Sequence, residues 1–398
     1  MAAAAFDAIV VGLGAFGAAT AWQLARRKAR VLGIDQYAPP HALGSSHGDS
    51  RITRRAIGEG DAYVPLVARS HEIWRELEAA SGEDLLTVTG GLWISSPQRR
   101  AETHVNDFFA RTIAAARRFH IPHEVLAAAD IRKGFPQFRV AANELGYYEP
   151  DAGFVRPEAC IRAQLSLAAA LGAELHTGER VEAIEQVAET VRVRTDRARY
   201  EAGQLVLCAG PWVTRMLPAD LSSLFTVTRQ VLYWFDVEES HARFEPPRFP
   251  VWIWELQDID NVIYGFPAID GPRGGAKVAT EQYRAAVRPE AIDSVAREVS
   301  EGEARGMHDN LVAPYLPGLG RKLVKAAACL YTATPDFQFL IDRHPQMPRV
   351  VVASACSGHG FKHSAAVGEA LAAMACDARP GVDLGEFSLQ RFSRVARF

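Results

Sequence analysis

Along the first forty residues the apolar positions fall in blocks rather than in strict alternation. Ala8 to Val11 is a short apolar, β-branched run, Ala18 to Arg27 reads as a helix, and Arg30 to Asp35 repeats the apolar run, so this segment predicts a βαβ unit. Gln204 to Gly210 (QLVLCAG) and Val350 to Gly360 (VVVASACSGHG) are later blocks of the same kind. Each is closed by glycine, and the second leads into a helix from Ser364 to Cys376. Continuous apolar runs with tight exits are what strands buried on both faces of a parallel sheet require. Tyr63 to Ala80 has another character: Val67, Ile73, Trp74 and Leu77 lie on or near one face of an amphipathic helix. Leu86 to Ile94, Thr226 to Phe235, Phe249 to Leu256 and Asn261 to Phe266 are rich in β-branched and aromatic residues and predict a second, antiparallel sheet. The two sets alternate along the chain and no Pro/Gly/Ser linker separates them. The expected architecture is therefore mixed α/β and α+β, a Rossmann-type domain interleaved with an antiparallel-sheet domain.

The turn inside the first unit is GLGAFG, with Gly12, Gly14 and Gly17. In a dinucleotide site the first glycine allows the tight turn, the second lets the backbone approach a pyrophosphate, and the third lets the helix pack on the strand. Asp35 ends the second strand 18 residues after Gly17, where a carboxylate can accept from adenosine ribose hydroxyls and disfavours a 2′-phosphate. The pattern leaves FAD and NAD both open, since each presents an adenosine diphosphate to the same surface. Small-residue strand ends that recur near the carboxyl terminus favour the longer cofactor, FAD.

Composition narrows the partners. The chain has 398 residues, 48% hydrophobic and 23% charged, with 44 basic against 47 acidic residues and a net charge of −3. That balance argues against nucleic acid or an anionic membrane as partner. Five scattered cysteines without a CxxC pair support neither a disulfide scaffold nor a metal site and favour a reducing compartment. Beyond the run Ala2 to Ala5 there is no low-complexity tract. No signal peptide is recognisable, and no window reaches the ~20 apolar residues of a membrane span. A cytoplasmic location is expected. Only six lysines occur, which makes Lys277 and Lys362 stand out.

Five stretches carry a resemblance over nearly the whole chain: GSSHGDSRITRRAIGEG (Gly44 to Gly60), YYEPDAGFVRPEACIRA (Tyr147 to Ala163), IYGFP (Ile263 to Pro267), CLYTATPDFQFLIDRHP (Cys329 to Pro345) and SGHGFKHSAAVGE (Ser357 to Glu369). In these the chain resembles the monomeric sarcosine oxidase and N-methyltryptophan oxidase group of flavoproteins, within the D-amino-acid-oxidase-like superfamily. The resemblance implies a glutathione-reductase-like FAD-binding domain made of residues 1–88, 150–219 and 336–398, and a substrate domain made of 89–149 and 220–335. It further implies FAD bound covalently through Cys329. The cofactor set it implies is Gly12, Gly14, Ala15, Phe16, Gly17, Asp35, Ser45, His47, Arg51, Val181, Gly210, Trp212, Cys329, Gly358, Gly360 and Lys362.

Arg51 and Arg54 match two arginines at the flavin face in this group, the second gripping the substrate carboxylate with Lys362 as its partner. A planar, permanently charged guanidinium suits that work; the residues alone would equally allow Arg51, Arg54 and Arg55 to form a solvated basic face. Lys277 aligns, across a two-residue insertion within Gly271 to Gly275, with the lysine that activates oxygen on the opposite flavin face. Tyr264 matches a tyrosine near the substrate carboxylate. Four residues past its lysine the group commonly has a histidine; here stands Glu281. A carboxylate there favours a cationic or hydrogen-bond-donating substrate group, and by stabilising the ammonium form of the amine it implies a raised pH optimum. Trp252 and Trp254 hint at an aromatic-lined site, although core packing explains them equally well.

The activity implied is oxidation of the C–N bond of a secondary amino acid, N-methyl or cyclic, with reoxidation by molecular oxygen to hydrogen peroxide and release of formaldehyde from N-methyl substrates. The partners expected are the amino acid and oxygen alone, acting on a monomer that holds no metal. Two alternatives stay open: an amine dehydrogenase with a non-oxygen acceptor, and a non-catalytic dinucleotide-binding protein.

Overall fold

A computed structural model describes residues 6–99 and 105–393; the Ala2–Ala5 run lies outside them. The predicted βαβ unit is present as β1 (Phe6–Val11), α1 (Ala15–Arg26) and β2 (Val31–Asp35), with β1 and β2 parallel. The two later apolar blocks join the same sheet. Arg199–Leu207 pairs parallel with β1 in the register Val10 to Val206, and Met347–Ser354 pairs parallel with Arg199–Leu207. Glu174–Thr177 extends the other side of β2, also parallel. The sheet has eight strands in all. Helices α1, Pro157–Ala170 and Ser364–Ala375 pack together upon it, with Gly368 pressed so close to Ala19 that an added Cβ would lie 2.3 Å from the alanine's own.

The second sheet has nine strands, including Thr226–Val237, Val251–Glu255, Val262–Ala268, Ala276–Thr280 and Leu319–Ala333. Here the structure corrects two expectations. The run Leu86 to Ile94 is two strands, not one. Leu86–Val88 pairs with Gly153–Val155 in a small third sheet, and Gly91–Ser95 enters the large one. The break is at Gly90, whose φ of +74 and closeness to the Tyr148 ring exclude a side chain. Gly91–Ser95 also runs parallel to Val251–Glu255, so the large sheet is antiparallel except at that one pairing.

Strand parity divides this sheet into two faces. Tyr233, Phe235, Trp252, Trp254, Ile263 and Val278 point into an apolar core closed by Met307, Leu311 and Val312. Gln230, Leu232 and Trp234, Ile253, Val262, Tyr264 and Phe266, Lys277 and Ala279, and Ala327, Cys329 and Tyr331 occupy alternate positions and share the other face. No described helix is long and apolar enough to cross a membrane.

Candidate active site

Two openings join into one cleft between the sheets. Gly12, Gly14, Asp35, Val181, Gly210 and Trp212 line the first; Arg51, Arg54, Glu59, Tyr264, Glu281, Tyr331, Gly358, Gly360 and Lys362 line the second. Ala15, Phe16, Ser45, Ser46 and Cys356 border both, so the path is continuous. Measured out to their mouths the two parts hold ≈ 950 and ≈ 940 Å³ of space.

The first part fits the adenosine diphosphate end of FAD. Gly12 has φ +86 and Gly17 sits so close beneath it that an added Cβ would lie 1.7 Å from the Gly12 carbonyl oxygen. Only glycines allow α1 to start here. Gly14 occupies the N-cap of α1 and has no side chain of its own to cap it; the Ala15 amide makes only a long bond to Ser46 Oγ (3.4 Å), and this helix start, lined by Gly14, Ala15 and Phe16, borders the cleft as an anion seat. Asp35 accepts the Leu13 amide on one oxygen and the Tyr37 amide on the other, each at 2.8 Å. Each oxygen retains a lone pair for a hydroxyl. Burial pushes its carboxyl up, against the pull of those two amides.

The strap Ser45–Arg51 leads from this end to the second part. The buried His47 Nε2 and Ser50 Oγ have no hydrogen-bond partner among the described residues and neither residue lines the cleft, whereas Ser45 borders both of its parts. Burial, reinforced by the neighbouring Arg51, holds His47 down at about 3, so the imidazole is neutral. Arg51 donates to the carbonyls of Ser45 (2.9 Å), His47 (2.5 Å) and Ser50 (2.9 Å). Lys277 lies behind the same strap, off the cavity wall. It donates to the Gly48 (2.9 Å) and Ser50 (2.7 Å) carbonyls, with Nζ 3.7 Å from the centre of the Phe266 ring. Cys329 is buried beside them; desolvation pushes its thiol up, while Arg51, Lys277 and Arg297 pull it back.

In the second part Arg54 and Lys362 face one carboxylate, Glu59, which the sequence reading missed. Arg54 Nη2 reaches Glu59 Oε2 at 2.6 Å and Lys362 Nζ reaches Oε1 at 3.3 Å; all three side chains are buried. Two buried cations need a counter-charge, and Glu59 lies in the quoted stretch ending at Gly60, so the signal was present. Arg54 also stands over Trp93 and Phe108, and Lys362 donates to the His359 carbonyl at 2.7 Å. Glu149, likewise unforeseen, accepts the Arg55 and Ala56 amides at 2.6 and 3.1 Å and so fixes the turn that aims Arg54 inward, while Arg55 faces solvent.

Tyr264 and Tyr331 meet at 3.2 Å between their hydroxyls; Tyr331 too went unnamed, although its motif had been singled out. Glu281, half-buried, joins the cavity wall two residues beyond Ala279 on the face that carries Lys277. Of the two readings of the tryptophans, core packing holds and the aromatic-lined site does not. Trp252 and Trp254 lie on the opposite strand face, where Phe138 packs edge-on against both and Trp254 Nε1 donates to Glu144 at 2.7 Å. The residue between them, Ile253, is the one that lines the cavity. Ile52, Phe108, Val262 and Phe266 complete an apolar wall.

Comparison with known proteins places this geometry. Residues 7–374 match the model of the family described as FAD dependent oxidoreductase. The chain is 42% identical over 390 residues to the monomeric sarcosine oxidase of Streptomyces avermitilis, spanning 98% of each. It is 33% identical over 389 residues to the N-methyl-L-tryptophan oxidase of Yersinia pestis, spanning 97% of this chain and 99% of that one. Among solved structures, NikD, an unusual amino acid oxidase essential for nikkomycin biosynthesis, shares the fold with a TM-score of 0.80 at 24% identity, covering 96% of this chain and 97% of that one.

Proposed function

The chain belongs to the FAD dependent oxidoreductase family, in the group of the monomeric sarcosine and N-methyl-L-tryptophan oxidases, and from that footing we propose that it oxidises the C–N bond of a secondary amino acid, N-methyl or cyclic, with molecular oxygen as final acceptor. The single observation that carries the reading is the buried pair of cations, Arg54 and Lys362, at the wall of a cavity that continues into a dinucleotide cleft. Bound FAD supplies the two-electron acceptor for the C–N bond and hands the electrons on to oxygen, giving hydrogen peroxide. The oxidised amine is then hydrolysed, which releases formaldehyde from an N-methyl group.

The chain's own residues bind and orient. Arg54 and Lys362 take the substrate carboxylate, exchanging part of their pairing with Glu59 for charge-assisted bonds to the ligand. Tyr264, hydrogen-bonded to Tyr331, offers its hydroxyl beside them. Ile52, Phe108, Ile253, Val262 and Phe266 exclude water from the reacting amine. Glu281 favours a substrate that carries a cation or hydrogen-bond donor. Cys329 would tether FAD, and Arg51 holds the strap Ser45–Arg51 in shape through its carbonyls. Lys277 offers a fixed positive charge where negative charge develops on oxygen. In this reading residues 1–88, 150–219 and 336–398 serve the cofactor and residues 89–149 and 220–335 serve the substrate, in a cytoplasmic monomer.

The test is anaerobic mixing of the purified yellow protein with a panel of N-methyl and cyclic amino acids. Bleaching of the flavin, followed by recovery of colour and one peroxide per turnover when air is admitted, is expected. Bleaching without peroxide, with colour restored only by a quinone or protein acceptor, would make the enzyme a dehydrogenase. A flavin that no amine bleaches would leave only dinucleotide binding.

A further inference from the structure

The strap that carries Arg51 has an unusual electrostatic construction. Two cations, Arg51 and Lys277, are held there by backbone carbonyls, and among the described residues neither pairs directly with a carboxylate. They share one acceptor, the Ser50 carbonyl. Two like charges on one oxygen repel, so something must compensate.

Glu158 stands on the other side of the same peptides. It is the second residue of the helix Pro157–Ala170, where the positive end of the helix favours a carboxylate. Its Oε1 accepts the amides of Gly48 at 2.5 Å and Asp49 at 3.2 Å. The Gly48 amide belongs to the peptide whose carbonyl, that of His47, accepts from Arg51. The Asp49 amide belongs to the peptide whose carbonyl, that of Gly48, accepts from Lys277. Each of these peptide units therefore has a carboxylate on its N–H and a cation on its C=O, an arrangement in which the bonds polarise one another. The conformation is costly: Gly48 has φ +105, and Asp49 has φ +65 although it carries a side chain.

Of the other charges facing Lys277, Asp49 supports the ammonium ahead of Glu158, but not through the peptides that Glu158 holds. Asp49 is committed to Lys325 at 2.7 Å, and Lys325 stands over the Trp234 ring that Lys277 also meets. Cys329 comes from the strand Leu319–Ala333, and its thiol is pushed up by burial. Burial and Arg51 both push the Lys277 amine well down, whereas Asp49 and Glu158 oppose them.

We propose that Glu158 is a positioning residue for Lys277: through the peptides His47–Gly48 and Gly48–Asp49 it fixes the carbonyl cage and supplies the negative charge that keeps the Lys277 ammonium in place. This rests on the reading of Lys277 as the residue that assists oxygen.

With only six lysines in the chain, the holoenzyme grown with isotope-labelled lysine gives few side-chain amine signals, and the one lost in Lys277→Met is that of Lys277. Glu158→Gln keeps an acceptor for the amides and removes the charge. Its Lys277 signal should titrate about 1 to 2 pH units lower than in the parent, the scale of one charge acting across several ångströms of protein. The pH profile of flavin reoxidation should move down with it, while the rate of flavin reduction by substrate stays within about twofold. An unmoved Lys277 titration in a folded Glu158→Gln protein overturns the proposal. Should that variant not fold, Glu158→Asp carries the test: the shorter side chain withdraws from the Asp49 amide, so a fall of about 0.5 unit is expected and none overturns the proposal. If instead Lys277→Met reoxidises like the parent, the oxygen-assisting role falls, whereas the Lys277 titration still decides the role of Glu158.

Discussion

Arg54, Glu59 and Lys362 make a buried cation–anion–cation group with one positive charge in excess, and a substrate carboxylate brings that excess to zero. Removing one cation should cost the difference between a charge-assisted bond and none, ~1.5–3 kcal/mol. Arg54→Ala is therefore expected to weaken binding of carboxylate inhibitors by roughly 10- to 100-fold in a spectral titration of the flavin. The same group sets a pH limit. Burial holds Lys362 down at about 8, partly offset by Glu59, so it is cationic below that pH and loses its charge above it. Because the carboxylate binds the cationic form, Kd for such an inhibitor should be flat below about 8 and rise above it by up to ~10-fold per pH unit. A Kd flat up to pH 10 would show that Lys362 stays charged. This limit opposes the raised pH optimum implied by Glu281, since the amine gains its lone pair in the range where the carboxylate loses a partner. Arg54 and Lys362 were recognisable from their motif neighbours; Glu59 and Glu149 stand in the same quoted motifs, but a carboxylate that serves a buried cation or backbone amides has no spacing rule of its own to single it out.

Elements explain why residues so distant in sequence reach one cavity. Alternation along Val262–Ala268 and Ala276–Thr280 puts Tyr264 and Lys277 on the face opposite the apolar core, and continuing the step of two brings Glu281 to the same side. The same parity sends Trp252 and Trp254 the wrong way for a substrate site, which no count of aromatic residues could reveal, because it depends on which face of the strand meets the core. The βαβ unit was legible to within three residues at each boundary, since its glycines and apolar blocks are local signals. The split of Leu86 to Ile94 was not, because the constraint at Gly90 comes from Tyr148 on another strand. The unit also offers a stability test. Gly17→Ala places a methyl group against the Gly12 carbonyl, and overpacking of this kind costs ~1–3 kcal/mol or more. Flavin incorporated per chain should fall well below that of the parent, and Tm should drop by roughly 1–4 °C. Unchanged FAD binding would show that α1 can move away from β1 without disturbing the anion seat.

At the scale of the molecule, the dinucleotide cleft and the cavity are one space bounded by two sheets whose strands interleave along the chain. That interleaving was visible in the alternation of the two strand types, but the continuity of the cleft arises only in the folded chain, where Ser45 and Ser46, on the strap that leads into the small third sheet at Arg51–Thr53, border both parts. The construction separates two tasks. Arg54 and Lys362 line the cavity, whereas Lys277 sits behind the strap, so substrate binding and oxygen assistance should be separable by mutation. The direct measurement is rapid-mixing kinetics of the two half-reactions in Arg54→Ala and Lys277→Met. Lys277→Met should slow flavin reoxidation by roughly 10²- to 10³-fold and leave reduction nearly intact, as for loss of a preorganised electrostatic donor. Arg54→Ala should raise the substrate concentration needed for reduction and leave reoxidation nearly intact. Equal losses in both half-reactions for both variants would contradict the division of the site.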